Sequence, residues 1–195
     1  MRQAVIERTT KETDIRLSLN LDGTGKAEID TGVGFLNHML ELLAIHSSFD
    51  LTVQCKGDTW VDDHHSVEDI GIAFGQALSE ALDDKKGITR YGNFLLPMDE
   101  ALVLVAIDLS GRETLGYQVQ LPTEKVGTFD TELVKEFMLG FTRNAKACLH
   151  FHQLAGENTH HIIEAMFKGM GRALRQAVTI DPARAGETPS TKGLL

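Results

Sequence analysis

The chain has 195 residues, with 19 Lys and Arg against 28 Asp and Glu and a formal charge of −9. That length suits one sizeable domain or two small fused halves, either able to bury a core without disulfides. With no basic run set against the acidic balance, nucleic acid and anionic membrane surfaces are excluded as partners. Cys55 and Cys148 stand far apart in no metal-type spacing, so neither a disulfide framework nor a thiolate zinc site is expected. The N-terminus MRQAVIERTTKETD lacks an apolar signal core and nothing approaches the roughly 18 apolar residues of a membrane span. A cytoplasmic protein is the expectation.

In chain order, Asp14 to Leu21 and Lys26 to Asp30 alternate around the turn Asp22-Gly23-Thr24-Gly25, which reads as a hairpin. A helix follows from Gly34 to about Ser47, then a strand from Leu51 to Cys55. The next helix, from about His64 to Leu82, places Val67, Ile70, Phe74, Leu78 and Ala81 on one buried stripe. The same order then returns. Ala101 to Leu109 and Thr114 to Leu121 are strand-like around Ser110-Gly111-Arg112, Glu132 to about Cys148 is helical, Leu149 to Leu154 strand-like and His160 to Ala177 helical. The last helix of each half repeats most visibly: HHSVEDIGIAFGQAL from His64 and HHIIEAMFKGMGRAL from His160 share two His, Glu, Gly, Ala and Leu. The buried stripe recurs as Ile163, Met166, Met170, Leu174 and Ala177. The pattern predicts an α+β protein built from one duplicated β-β-α-β-α unit, its halves related by a pseudo-twofold axis. The halves run over 1–90 and 91–180, and 181–195 is a tail without periodicity.

On a helix, residues i and i+4 share a face while i+1 is turned by about 100°. His64 and Glu68 can therefore chelate one ion while His65 points toward another. His160, His161 and Glu164 repeat the arrangement, and a pseudo-twofold that brings the motifs together lets each half lend its odd His to the other half's metal. One His-His pair on a helix is more often a capped polar patch than a ligand set. Two copies at equivalent positions favour metal binding, because drift after duplication erases a merely structural motif. His38, on the preceding helix, completes a nitrogen-rich shell, and its counterpart is Glu136 if the helices are aligned through Met39-Leu40 and Met138-Leu139, with a two-residue gap. Imidazole and carboxylate ligands suit Mn, Fe or Zn better than Mg or Ca. Asp62 and Asp63 are expected to accept the imidazole N–H groups. His46 either lines the site or sits on the surface, whereas His150 and His152, on one side of a strand, read as packing or surface residues.

Lys168 lies one turn beyond Glu164 on the ligand face, and its counterpart in the first half is Ile72. A cation on one side only would orient a substrate bearing one anionic group. Arg90, Arg112 and the tail's Ser190, Thr191 and Lys192 offer further donors, with Arg suited to bidentate phosphate contact. Isolated basic residues are usually solvated, so none of these carries the reading alone.

The segments GVGFLNHML (Gly32 to Leu40), DDHHSVEDIGI (Asp62 to Ile72), GENTHHIIEAMFKGMGRAL (Gly156 to Leu174) and PSTKGLL (Pro189 to Leu195) resemble the imidazoleglycerol-phosphate dehydratase family of histidine biosynthesis. The likeness spans essentially the whole chain in order. It implies two similar α+β halves of the ribosomal protein S5 domain 2-like kind, two manganese ions per active site, and a homo-24-mer with active sites between neighbours. It also implies the monofunctional form, without a fused phosphatase. By resemblance His38, His64, His65, Glu68, His160, His161 and Glu164 are metal ligands, and Arg90, Arg112, Lys168, Ser190 and Lys192 bind phosphate. Glu136 stands where many members have a metal-binding His. Glu12, in RTTKET, matches a substrate-site carboxylate.

The implied reaction converts imidazole glycerol phosphate to imidazole acetol phosphate and water through an imidazolate held between two metals. Glu12, a carboxylate outside both helix motifs, either shuttles the proton or only hydrogen-bonds a substrate hydroxyl. Two other classes compete. A dinuclear metallohydrolase would release free phosphate and usually carries more bridging Asp. A ferritin-like metal store would show Glu-x-x-His order and no strong strands.

Overall fold

A computed structural model describes residues 1–195 of the chain. The first half runs β1 (Gln3–Thr9), β2 (Thr13–Asn20), β3 (Ala27–Asp30), α1 (Gly34–Ser47), β4 (Asp50–Gly57) and α2 (His64–Leu82). The second runs β5 (Tyr91–Met98), β6 (Ala101–Asp108), β7 (Thr114–Gln118), the small ribbon β8 (Lys125–Val126) and β9 (Phe129–Asp130), α3 (Leu133–Ala145), β10 (Cys148–Ala155) and α4 (Thr159–Val178). A 3₁₀ turn at Pro182–Arg184 opens the tail. The sheets have the same order, β1-β2-β4-β3 and β5-β6-β10-β7, so the duplicated α+β organisation stands. No helix is long and apolar enough to cross a membrane.

Strand pairing differs from the expected hairpins. β3 runs parallel to β4 rather than back along β2, and β7 parallel to β10 rather than back along β6. The cause is local. Asp50, at the start of β4, accepts the backbone N–H groups of Thr24 and Lys26, so the Asp22-to-Gly25 turn is drawn across the sheet to β4. β2 instead pairs with β1, and β6 with β5. These added strands escape a pattern search because β1 carries the charged pair Glu7-Arg8 near its end, while β5 contains Gly92 and Pro97. Both are edge strands, where a proline costs no ladder hydrogen bond.

One face of each sheet buries alternate side chains: Ile15, Leu17 and Leu19 on β2, and Val103, Val105 and Ile107 on β6. The helices cover these faces, giving four layers in the order sheet, helices, helices, sheet. The helix stripes read from the sequence are buried throughout, from Val67 to Ala81 on α2 and from Ile163 to Ala177 on α4. The halves meet reciprocally: α2 packs on α3, and α1 on α4. Phe74 of α2 stacks on Phe141 of α3 across the halves with centroids 5.2 Å apart, and within the second half Phe137 of α3 meets Phe167 of α4 at 5.4 Å. Two glycines permit the contact. A Cβ on Gly75 would stand 2.5 Å from the Phe141 carbonyl oxygen, and one on Gly171 would stand 2.8 Å from that of Leu43. Around these glycines Phe141, Asn144 and Ala145 correspond in step to Leu43, His46 and Ser47. The same count makes Glu136 the counterpart of His38, without the gap that alignment by residue identity requires.

Gly75→Ala should therefore force α2 from α3 and cost ~1–3 kcal/mol. Thermal unfolding should show a clear drop in midpoint, and an unchanged midpoint would contradict the close approach.

Candidate active site

The α1–α4 contact brings His38 beside the second His-His-x-x-Glu motif. His160 Nε2 lies 3.1 Å and His38 Nε2 3.6 Å from Glu164 Oε2. Ligand atoms of these three residues all fall within 4.8 Å of one another. The ring of Phe35 stands edge-on to His160 at 5.2 Å and limits its movement. Glu164 is buried, and burial raises its carboxyl pKa. The hydrogen bond and charge of Lys168, with His160 and His38, outweigh burial and leave it below the ordinary value. Lys168 pairs with Glu164 and approaches the Met98 sulfur at 3.6 Å.

In the first half His64 Nε2 lies 3.7 Å from Glu68 Oε2. Glu136, half-buried in the first turn of α3, does not complete a three-donor group with them. The expectation that both motifs meet within one chain also fails. Each motif instead faces a helix of the opposite half, because the close glycine contacts join α1 to α4 and α2 to α3, leaving α2 and α4 apart.

His65 and His161 turn away from these clusters, as the helical angle requires. Their ring planes are inclined at 79° and 78° to those of His64 and His160, with centroids 6.1 and 6.3 Å apart. His65 Nδ1 lies 3.0 Å from Asp58, and His161 Nδ1 lies 2.7 Å from Glu100. These hydrogen bonds raise the pKa of each imidazole, and the partnership with His161 holds Glu100 down at about 2. Asp62 and Asp63 do not play the part expected of them. The Asp62 carboxylate accepts the backbone N–H of His64, and Asp63 makes no capping bond at the start of α2. The sequence neighbours of a helix start are directed to backbone donors, so the imidazole acceptors come from other loops. No local signal marks Asp58 or Glu100.

Glu12 occupies the β1–β2 turn, half-exposed, with its Oε1 3.7 Å from His65 Nε2. His46 lies in the last turn of α1, half-buried against α4 near Gly171, within reach of the charges of Lys168 and Glu164. Burial lowers its pKa, assisted by the charges of Arg172 and Lys168. His150 and His152 are exposed on one face of β10.

Arg90, Arg112, Ser190, Thr191 and Lys192 line one cavity of about 480 Å³. Arg90 is anchored there: its Nε and a terminal nitrogen donate to Asp108 at 2.7 and 3.1 Å, and its other terminal nitrogen donates to the Pro189 carbonyl at 2.9 Å. The tail is thereby strapped beside Arg112. Lys168 is absent from this cavity and remains with Glu164. A groove of about 530 Å³ along β7 and β10 holds none of the expected site residues.

The fold and its relatives define a carbon–oxygen lyase of the hydro-lyase class. A family model described as imidazoleglycerol-phosphate dehydratase matches residues 31–174. Proteins named imidazoleglycerol-phosphate dehydratase are 58% identical over 195 residues in Azorhizobium caulinodans and 56% identical over 194 residues in Synechococcus elongatus; each match covers 100% of this chain and, respectively, 99% and 93% of the relative. The crystal structure of that enzyme from Staphylococcus aureus superposes with a TM-score of 0.84 at 46% identity, covering 92% of this chain and 99% of its own. That from Pyrococcus furiosus, in complex with (S)-C348, also gives 0.84, at 41% identity, covering 97% and 100%. The chain belongs to the imidazoleglycerol-phosphate dehydratase family.

Because Arg90 joins Asp108 to the tail, Asp108→Asn should loosen residues beyond Asp181. Limited proteolysis should clip the tail several-fold faster than in the parent chain, and equal rates would separate the tail from this ion pair.

Proposed function

We propose that the chain dehydrates imidazole glycerol phosphate to imidazole acetol phosphate and water in histidine biosynthesis, using two manganese ions per active site. The carrying observation is the His38, His160 and Glu164 cluster in a member of this dehydratase family. Two imidazoles and a carboxylate at that spacing fit a transition metal better than Mg or Ca. The proposed ligands are His38, His160 and Glu164 in one set and His64, Glu68 and Glu136 in the other, with His65 and His161 reaching outward to sites of neighbouring copies. Bound there, the ions would polarise both ring nitrogens of the substrate as Lewis acids and hold its ring as a template.

The protein's own groups supply binding and proton transfer. Arg112, Ser190, Thr191 and Lys192, with Arg90 holding the tail in place, would receive the phosphate. Lys168 sits with the ligand cluster rather than in that cavity, and the outward histidines lack partners for their Nε2 atoms beyond nearby carboxylates. Both features support sites completed by neighbouring subunits, in keeping with a homo-24-mer. Glu12 would take the proton from the carbon next to the ring-bearing carbon and pass it to the departing hydroxyl. Water and an enol result, and the enol collapses to the ketone. Its carboxylate, half-exposed and outside the two clusters, is free for that transfer.

Incubation with manganese and imidazole glycerol phosphate should yield the enolisable ketone. Release of free phosphate would replace this reading with a metallohydrolase. Glu12→Gln should abolish turnover while metal content is retained; substantial residual activity would remove Glu12 from the acid/base role. Arg112→Ala should raise KM at least tenfold with a smaller effect on kcat, measured by steady-state kinetics, since that side chain pairs with no carboxylate of its own chain.

A further inference from the structure

We propose that Asp58 and Glu100 are positioning residues that fix the tautomer and direction of His65 and His161. The inference rests on the reading of those two histidines as outward-reaching metal ligands. A neutral imidazole carries one N–H, and whichever nitrogen holds it cannot offer a lone pair. His65 Nδ1 stands 3.0 and 3.1 Å from the two oxygens of Asp58, and His161 Nδ1 stands 2.7 Å from Glu100 Oε2. A carboxylate accepts and does not donate, so the proton belongs on Nδ1 and the lone pair on Nε2. In each half the outward histidine is thus prepared to bind through Nε2.

Both carboxylates are themselves held. Asp58 is only 7% exposed, and its backbone N–H donates to the Glu12 carbonyl at 3.1 Å. Its side chain hydrogen-bonds to His65 alone. Glu100 accepts the backbone N–H groups of Glu157 and Asn158 at 3.2 and 2.8 Å, immediately before α4. The two carboxylates are unrelated by the duplication. Asp58 follows β4, whereas Glu100 lies in the turn between β5 and β6.

The hydrogen-bond registers identify the true counterpart of Glu100. Gln3 pairs with Asn20 in the first hairpin and Tyr91 with Asp108 in the second. Counting forward in step from these pairs, Lys11-Glu12 coincides with Asp99-Glu100. The same turn carboxylate therefore has two fates. In the first half Asp58 takes the Nδ1 proton of His65, leaving Glu12 free at 3.7 Å from Nε2. In the second half β10 is followed by Gly156, which has no side chain to offer, and Glu100 takes the Nδ1 proton of His161 instead. Positioning of both histidines is preserved, and the carboxylate left beside Nε2 is a glutamate in the first half, Glu12 at 3.7 Å, and an aspartate in the second, Asp99 at 3.6 Å.

The test uses the assembled full-length protein and Mn²⁺ alone, titrated by the electron paramagnetic resonance signal of the free ion. Asp58→Asn and Glu100→Gln should each weaken Mn²⁺ binding on the order of 10–100-fold, with unchanged circular dichroism and assembly size. Saturating Mn²⁺ should restore the parent stoichiometry, and the Co²⁺ absorption spectrum should shift in each variant. Glu12→Gln should leave Mn²⁺ affinity and the Co²⁺ spectrum as in the parent. Parent-like affinity and spectrum in Asp58→Asn and Glu100→Gln, alongside lost affinity in His65→Ala and His161→Ala, would overturn the positioning role while keeping the ligands. Full affinity in His65→Ala and His161→Ala would overturn the ligand reading and this inference with it. The two halves are tested separately, so a variant that fails to assemble in one half leaves the other to decide.

Discussion

Everything about the site depends on how closely the helices of one half approach those of the other. Backbone can meet backbone at Gly75 and Gly171 only because no Cβ intervenes. That contact places His38 of α1 beside His160 and Glu164 of α4, an arrangement no single half can make. It also sets the correspondence of the two preceding helices, in which Glu136 takes the place of His38. Packing and ligand geometry are thus one constraint, since a shift of α1 along α4 would move one donor away from the other two.

Duplication supplies paired donors, and departures from it supply direction. His64 and Glu68 repeat His160 and Glu164, but Lys168 stands where the first half has Ile72, and Glu12 and Glu100 share a place in the turn while differing in partners. A ring with two nitrogens calls for two similar donor sets. A substrate with one phosphate and one leaving hydroxyl calls for a distinction between its ends. Under the proposed function both demands fall on a fold whose backbone is nearly symmetric and whose side chains are not.

The tail shows how a segment without periodicity is held in place. Arg90, at positive φ just before β5, joins Asp108 to the Pro189 carbonyl and brings Ser190, Thr191 and Lys192 against Arg112. The half-buried ion pair works here as a clamp on the loop. Geometry rather than net charge concentrates donors in a protein whose formal charge is −9.

The sequence by itself determined the duplication, the four helices with their buried stripes, the divergence of adjacent histidines and the set of residues worth watching. These are local properties, carried by a helical period of about 3.6 residues and by repeated motifs. Tertiary structure decided which strands pair, because Asp50 captures the Thr24 and Lys26 amides from a distant position. It also decided that each motif faces the opposite half and that Asp58 and Glu100, rather than Asp62 and Asp63, receive the imidazole protons. A hydrogen-bond acceptor is selected by where the loops come to lie, and no period or spacing along the chain records that position.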